Sequence, residues 1–382
     1  MGILDFTWYY IVVFLVLLTI LVFVHELGHY WVARRNNVRV EVFSVGFGPE
    51  IYGWTDRHET RWKISAIPLG GYVKMLGQED IPEDGEEPRE LTEQEKAVSF
   101  EYKTVGQRAA IVFAGPAINF IFGILVFALL AGIIGTAVPL ASIGKVLKGS
   151  AAEQAGFVTG DRVISIDGEP ITYFEELRTT VGKNPEVELT FGVQRNDEQL
   201  VIRAVPKTSM RTGEDGVATP VGLLGVEWDR ENVEYERQNP LAALWFGIER
   251  TYTLTVAILK YVGDMLTGSR GTDDLGGPLR IAQVAGQMAQ EGMIEYIHLM
   301  ALLSVNLGLI NLFPIPMLDG GHLVFYGIEA LRGRPLGPRA QEYGFRFGLI
   351  LVLMLVVFVT WNDLVHLEVI EGVIEFVKGL TT

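Results

Sequence analysis

Residues 24–31 read VHELGHYW, and His25, Glu26 and His29 within them have the spacing H-E-x-x-H. On a helix, residues four apart share a face, so His25 and His29 project together with Glu26 beside them. Two neutral imidazoles so placed are ligands for Zn²⁺, and a neighbouring carboxylate can take a proton from water. That chemistry is hydrolysis. A zinc that does chemistry needs a third protein ligand and one open position. The candidate is Asp319, in NLFPIPMLDGGH (311–322), giving a His₂Asp site for one Zn²⁺ per chain. The bland alternatives are a chance H-E-x-x-H with hydrogen-bonded core histidines, and an Asp319 that only caps a helix at the cytoplasmic boundary.

The elements around these residues sharpen the choice. The nineteen residues Phe6–Val24 carry no charge, and eight positions separate Glu26 from Arg34. At 1.5 Å per residue, Glu26 lies about 12 Å inside the basic boundary of an apolar helix. An ionisable group at that depth costs several kcal/mol unless it pairs or faces a wet cavity. Pro314 and Pro316 break the apolar segment that carries Asp319. Broken backbone in lipid is tolerated only where protein or a water-filled cavity covers it.

Hydrophobic residues make up 49% of the 382, and the mean hydropathy is +0.28, which indicates several membrane spans plus a soluble part. Four segments approach the roughly 20 residues a span requires: about 6–33, 109–140, 296–318 and 347–362. The first lacks a basic n-region and a small-residue cleavage site, so it reads as retained. A net charge of −15 excludes nucleic acid as a partner, and the absence of cysteine excludes disulfides and thiolate ligands. The acid is concentrated in EDIPEDGEEPRELTEQE (79–95), a solvated loop. Lys and Arg gather in 34–108 and 331–346, which places both loops in the cytoplasm and residues 141–295 with both termini outside.

The domain reading runs as follows. Residues 1–36 form the first transmembrane helix; 37–76, with Gly–Pro punctuation, form short membrane-associated β-hairpins; 77–108 form an acidic cytoplasmic loop. Residues 109–140 are the second span and 141–208 a small α/β domain with a helix near 173–182. Residues 209–292 are an amphipathic and linker region, of which 240–267 lies on the outer membrane surface or against the small domain. Residues 293–330 hold the third, broken segment, and 331–382 a cytoplasmic loop, the fourth span and an outer tail. The fold class is a polytopic α-helical membrane protein of four transmembrane helices with cytoplasmic β-hairpins and an inserted outer α/β domain.

H-E-x-x-H in the first span with N-x-x-P-x-P-x-L-D-G in a later one resembles the signature of the site-2 protease family of intramembrane zinc metalloproteases. AGPAINF (114–120) matches the family's G-P-x-x-N element, and SAAEQAGFVTGDRVISIDGEPI (150–171) is similar to a bacterial PDZ domain. The combination resembles the RseP-like branch, the bacterial regulators of sigma-E proteolysis. This chain has room for one PDZ domain where enterobacterial members carry two, Ser150-Ala151 replaces the usual Ser-Pro, and VGLLG (221–225) is a weak carboxylate loop.

The resemblance implies a bacterial inner-membrane, multi-pass zinc endopeptidase with a periplasmic PDZ domain. Its substrates would be single-span proteins in the bilayer, such as an anti-sigma factor already shortened by another protease, or leftover signal peptides. Glu26 would be the catalytic base and His25, His29 and Asp319 the metal ligands. Asn311, Pro314, Pro316, Gly70 and Gly71 would meet the unwound substrate, and Asn119 would support the site. Asn311 and Asn119 can also be read as polar glue between spans. His322 reads as adjacent to the site without being a ligand, and His58 and His298 as loop or interfacial residues. Two other classes stay in view. An inactive PDZ-bearing adaptor would not need the intact H-E-x-x-H and Asp319 together. A transporter would show paired broken helices, and one is present.

Overall fold

The structure is a computed structural model that describes residues 3–78, 91–212, 218–229, 232–269, 271 and 276–366. Most of the acidic stretch and the tail beyond His366 lie outside the described residues. The described chain divides into two compact units, one of Met1–Leu130 with Pro240–Thr382 and one of Ala131–Asn239.

Helix α1 (Ile3–Arg35) ends where its chemistry says it should. Arg34 and Arg35 sit on the negative end of the helix dipole, and Asn37 turns left-handed at φ 58° while the Val38 amide donates back to the Ala33 carbonyl. The hairpin region that follows is not a set of short hairpins. It is one long antiparallel pair, β1 (Val40–Thr55) with β2 (Arg61–Met75), joined through an Asp56 turn. Residues Val42–Val45 have partners on both sides, at Gly71–Lys74 and at Arg61–Ile64, because glycines at 46, 48 and 70 with positive φ let both strands bend. A short helix α2 (Glu93–Val98) interrupts the loop after it, capped by Thr92 and Glu95. Phe43, Val73, Phe100 and Ile111 then bury a core between this sheet, α1 and α3 (Val105–Ile133).

The second apolar helix therefore stops at Ile133 and does not reach 140. Gly135 takes φ 111° and the chain enters β3 (Thr136–Pro139). The α/β unit continues with β4 (Ile143–Val146), α4 (Ala151–Ala155), β5 (Arg162–Ile166), β6 (Glu169–Pro170), α5 (Phe174–Lys183), β7 (Leu189–Arg195) and β8 (Glu198–Ala204). A sheet in the order β6-β5-β7-β8 packs on a core that includes Phe157, Val163, Leu177, Phe191 and Val193. The unit does not end at 208. A hairpin of β9 (Lys207–Thr212) and β10 (Ala218–Leu223) follows, and then β11 (Val226–Trp228) pairs with β4 and β12 (Val233–Glu236) with β3. Strands of three and four residues are too short to carry a period-2 signal, which is why the sequence reads them as linker.

Helix α6 (Pro240–Leu266) buries Ala243, Gly247 and Thr251, a stripe at four-residue spacing. Gly247 meets the Ile124 carbonyl and Ala128, so α6 packs on α3 rather than lying on a membrane surface alone. Helix α7 (Pro278–Glu291) presents Gly286 to Tyr10 of α1, buries Ala285 in a cluster with Leu17 and Leu21, and is capped by Asp363. Helix α8 (Met293–Asn311) ends at Asn311, seven residues earlier than the apolar pattern suggests, and α9 (Asp319–Arg332) begins after the proline break. Helix α10 (Pro338–His366) closes the described chain. Among the described residues, four stretches are long and apolar enough to cross a membrane: Trp8–Arg35, Val105–Ile133, Met293–Asn311 and Arg339–Val365.

Candidate metal centre

Three side chains 294 residues apart in sequence meet at one point. His25 Nε2 and His29 Nε2 lie 3.2 Å apart, His25 Nε2 is 3.2 Å from Asp319 Oδ2, and His29 Nε2 is 3.6 Å from Asp319 Oδ1. Around a tetrahedral zinc with ligands at about 2.0–2.2 Å, donor atoms stand about 3.3–3.6 Å apart. The donor set fits that ion. Two imidazole nitrogens and a carboxylate turned on one another form a donor set that one cation can bridge, and Asp319 Oδ2 is buried without a hydrogen-bond partner. Among the described residues these three form the one group of His and acidic side chains whose ligand atoms converge within 4.8 Å.

Two elements place the three candidate ligands. His25 and His29 stand one turn apart on α1, and their rings meet edge to face at 4.8 Å. Asp319 is the first residue of α9, where a carboxylate also suits the positive end of the helix dipole. Gly320 and Gly321 seat that first turn on the broken backbone. A Cβ at Gly320 would stand 2.3 Å from the Leu312 and Phe313 carbonyls, and one at Gly321 2.4 Å from the Ile315 carbonyl. Met317, two residues before Asp319, holds a left-handed φ of 99°, a strained value for a side chain of its size.

The centre opens into a cavity of about 790 Å³ lined by Glu26, Tyr72, Val73, Asn311, Met317 and His322 among others. The backbone of Val73 hydrogen-bonds the Glu26 carboxylate, and Gly71 brings the strand to within 3.5 Å of Glu26 Cγ, measured from a Cβ it lacks. Further along the cavity wall Arg108 pairs with Glu329 at 2.7 Å and lies over the Tyr326 ring, tying α3 to α9.

Of the residues singled out in the sequence, His25, Glu26, His29, Asp319 and Asn311 line one cavity, and Asn119 contacts His25. Gly71 borders Glu26. Pro314 and Pro316 shape the break without lining the cavity; Pro316 packs on α10 at Gly348. Gly70 packs on Phe47. His322 lies against Phe345 and Tyr326 in the wall, and His58 donates its amide to Asp56. His298 is not a loop residue: it sits in the second turn of α8, against the Phe127 ring. Sequence reasoning missed Gly115. A Cβ there would stand 2.2 Å from His29 Nε2 and 2.9 Å from His25 Cε1, so only glycine lets α3 pass behind the ligands. Its place in AGPAINF, four residues before Asn119 and on the same helix face, was the available signal.

Comparison with known proteins gives the same direction. The family described as Peptidase family M50 matches residues 13–355. The chain belongs to peptidase family M50. Among relatives of this M50 peptidase, Metalloprotease MmpA of Caulobacter vibrioides is 35% identical, with 96% of this chain and 97% of the relative aligned. Regulator of sigma-E protease RseP of Salmonella typhimurium is 33% identical over 92% of this chain and 97% of the relative. A Rhizobium meliloti protein, itself named by inference as a zinc metalloprotease, is 45% identical over 94% of this chain and 98% of its own. A solved PDZ domain from Listeria monocytogenes aligns with 25% of this chain and 88% of its own at 15% identity and a TM-score of 0.18.

Proposed function

We propose that this M50 peptidase is an intramembrane zinc metalloendopeptidase that cuts transmembrane segments of other proteins. The observation that carries the reading is the convergence of His25, His29 and Asp319 beside Glu26, at a helix break flanked by helices of spanning length and apolarity. His25, His29 and Asp319 would hold the zinc, leaving one position for chemistry. A bound zinc supplies Lewis acidity and lowers the pKa of water to about 7.

The chain's own residues do the rest. A substrate helix hides each peptide bond in its own hydrogen bonds, so it must unwind before it can be cut. Strand β2 lines the cavity at Tyr72, Val73 and Met75, where an extended peptide could lie alongside it, and Asn311 offers an amide from the other wall. Pro314 and Pro316 keep the α8–α9 backbone open beside them. Glu26, steadied by the Val73 backbone, takes the proton from the attacking water and returns it to the leaving amine nitrogen.

The finer reading concerns place and substrate. Arg34, Arg35 and Arg39 at and just after the end of α1, and Arg332, Arg334 and Arg339 around the α9–α10 connection, favour a cytoplasmic side for those ends. The α/β unit, read as a single PDZ domain, and both termini are then periplasmic, in a bacterial inner membrane. The RseP alignment runs over 445 positions against 382 residues here, which supports one such domain where the relative has more chain. The relative's name supports single-span substrates of the anti-sigma-factor kind, trimmed beforehand, in an envelope stress response; signal-peptide remnants are a second class.

The test is cleavage of a tagged single-span protein by the purified full chain. Wild type cuts and chelation stops it, while Glu26→Gln retains zinc and does not cut. Turnover by Glu26→Gln, or cleavage that survives removal of metal, contradicts the assignment.

A further inference from the structure

Both histidines reach α3 with the ring nitrogen that faces away from Asp319. His29 Nδ1 lies 2.9 Å from the Ile111 carbonyl, which can only accept, so His29 carries its proton on Nδ1 and keeps Nε2 free. His25 Nδ1 lies 3.1 Å from the side-chain amide of Asn119, a residue with no exposed surface. The atom placed nearest is Nδ2, and Asn119 Oδ1 is buried without a partner. Amide nitrogen and oxygen are exchanged by a half-turn that leaves the shape unchanged, so chemistry must choose between them. A His25 whose Nε2 is a ligand carries its proton on Nδ1, and an amide N–H facing it would set donor against donor.

The structure assigns Asn119 as a positioning residue whose Oδ1 accepts the His25 Nδ1–H and fixes the tautomer that presents Nε2 to the metal. This rests on the zinc reading above and deepens it. Asn119 is itself held in place: Ser304 of α8, also fully buried, donates to the Asn119 backbone carbonyl at 3.0 Å. Gly308 lets α8 approach so closely that a Cβ there would stand 3.1 Å from Asn119 Cβ. Helix α3 thus supplies one acceptor to each histidine, a backbone carbonyl for His29 and a side-chain carbonyl for His25.

The test separates acceptor from donor. Asn119→Asp keeps an oxygen acceptor and loses the donor, whereas Asn119→Leu keeps the size and loses both. Zinc affinity, measured by chelator competition on the purified full chain, should fall about 10–100-fold in Asn119→Leu and stay within a few-fold of wild type in Asn119→Asp. The second readout needs no variant: ¹⁵N spectra of histidine-labelled, zinc-loaded wild type should show the His25 proton on Nδ1. An Asn119→Asp that loses zinc as Asn119→Leu does, an Asn119→Leu that binds at wild-type affinity, or a His25 proton on Nε2 would each overturn the assignment. A wild type that binds no zinc would instead sink the metal reading on which it rests.

Discussion

Adding one methyl group at Gly115 should disable the metal centre while sparing the fold. The ideal Cβ would stand 2.2 Å from His29 Nε2, 2.5 Å from His29 Cε1 and 2.9 Å from His25 Cε1. Comfortable contact lies near 3.5 Å, so the His29 ring must retreat by about 1 Å or α3 must move off α1. The second route is obstructed, because Gly28 of α1 already lies so close that its own Cβ would be 2.4 Å from the Ala114 carbonyl. A metal site tolerates only about 0.2 Å in its ligand distances, and a 1 Å displacement of a reacting group costs about 100-fold in rate. Gly115→Ala is therefore expected to lower zinc affinity and kcat/KM by about 100-fold or more, about 2.7 kcal/mol in activation terms, with a stability loss of about 1–3 kcal/mol from overpacking. Gly106→Ala, in the first turn of the same helix with no atom within 4 Å of the added carbon, is the control and should leave both unchanged. Chelator competition and thermal unfolding of the two purified variants decide it. A Gly115→Ala protein with wild-type zinc affinity and activity would refute the claim that α3 passes directly behind the ligands.

Two further outcomes follow from the parts around the site. Asp56 accepts hydrogen bonds from the His58 and Thr60 amides, the Trp62 indole and the Tyr30 hydroxyl; burial pushes its carboxyl up, but these bonds prevail and hold it below its ordinary value. A depressed folded pKa gives stability that is present above the unfolded value of about 3.9 and lost as pH falls through the folded one, so Asp56→Ala should cost about 1–2 kcal/mol at neutral pH and progressively less as pH falls below about 3.9. Thermal unfolding of both proteins across that range checks the sign; a constant gap contradicts it. In the α/β unit a Cβ at Gly222 would stand 2.2 Å from the Val181 carbonyl, so VGLLG begins as the end of strand β10 packed on α5 and not as an open loop. Replacing residues 140–232 with a short linker, which keeps the Pro139–Val233 pair, should let the enzyme cut untrimmed substrate, while scrambling the last residues of a trimmed substrate changes cleavage only a few-fold. Loss of cleavage on scrambling, with untrimmed substrate still intact after the deletion, would make the unit a reader of termini.

The sequence made the candidate ligands legible because their chemistry is local. His25 and His29 need only one helical turn to come together, and Asp319 announces itself by following two prolines in an apolar run. What surrounds them depends on contacts far apart in sequence. Gly115 in an apolar helix reads as one more small residue until the histidines are placed behind it. The bond between Glu26 and the Val73 backbone, and the Arg108–Glu329 pair, need the sheet and α9 in position before they exist. The strands β11 and β12 fall below the length at which alternation can be read, so the α/β unit extends beyond its sequence boundary. The end of α8 at Asn311 was obscured because Leu312, Phe313 and Ile315 continue the apolar composition through a stretch whose amides bond only short-range turn carbonyls.

The central claim is that His25, His29 and Asp319 hold one zinc ion with a position left open, and X-ray absorption at the zinc edge of the purified full chain tests it most directly. The account predicts one zinc per chain with four nitrogen and oxygen neighbours at about 2.0–2.2 Å, two of them imidazole, and no sulfur. A chain that binds no zinc, or a zinc with fewer than two imidazoles in its first shell, would contradict it.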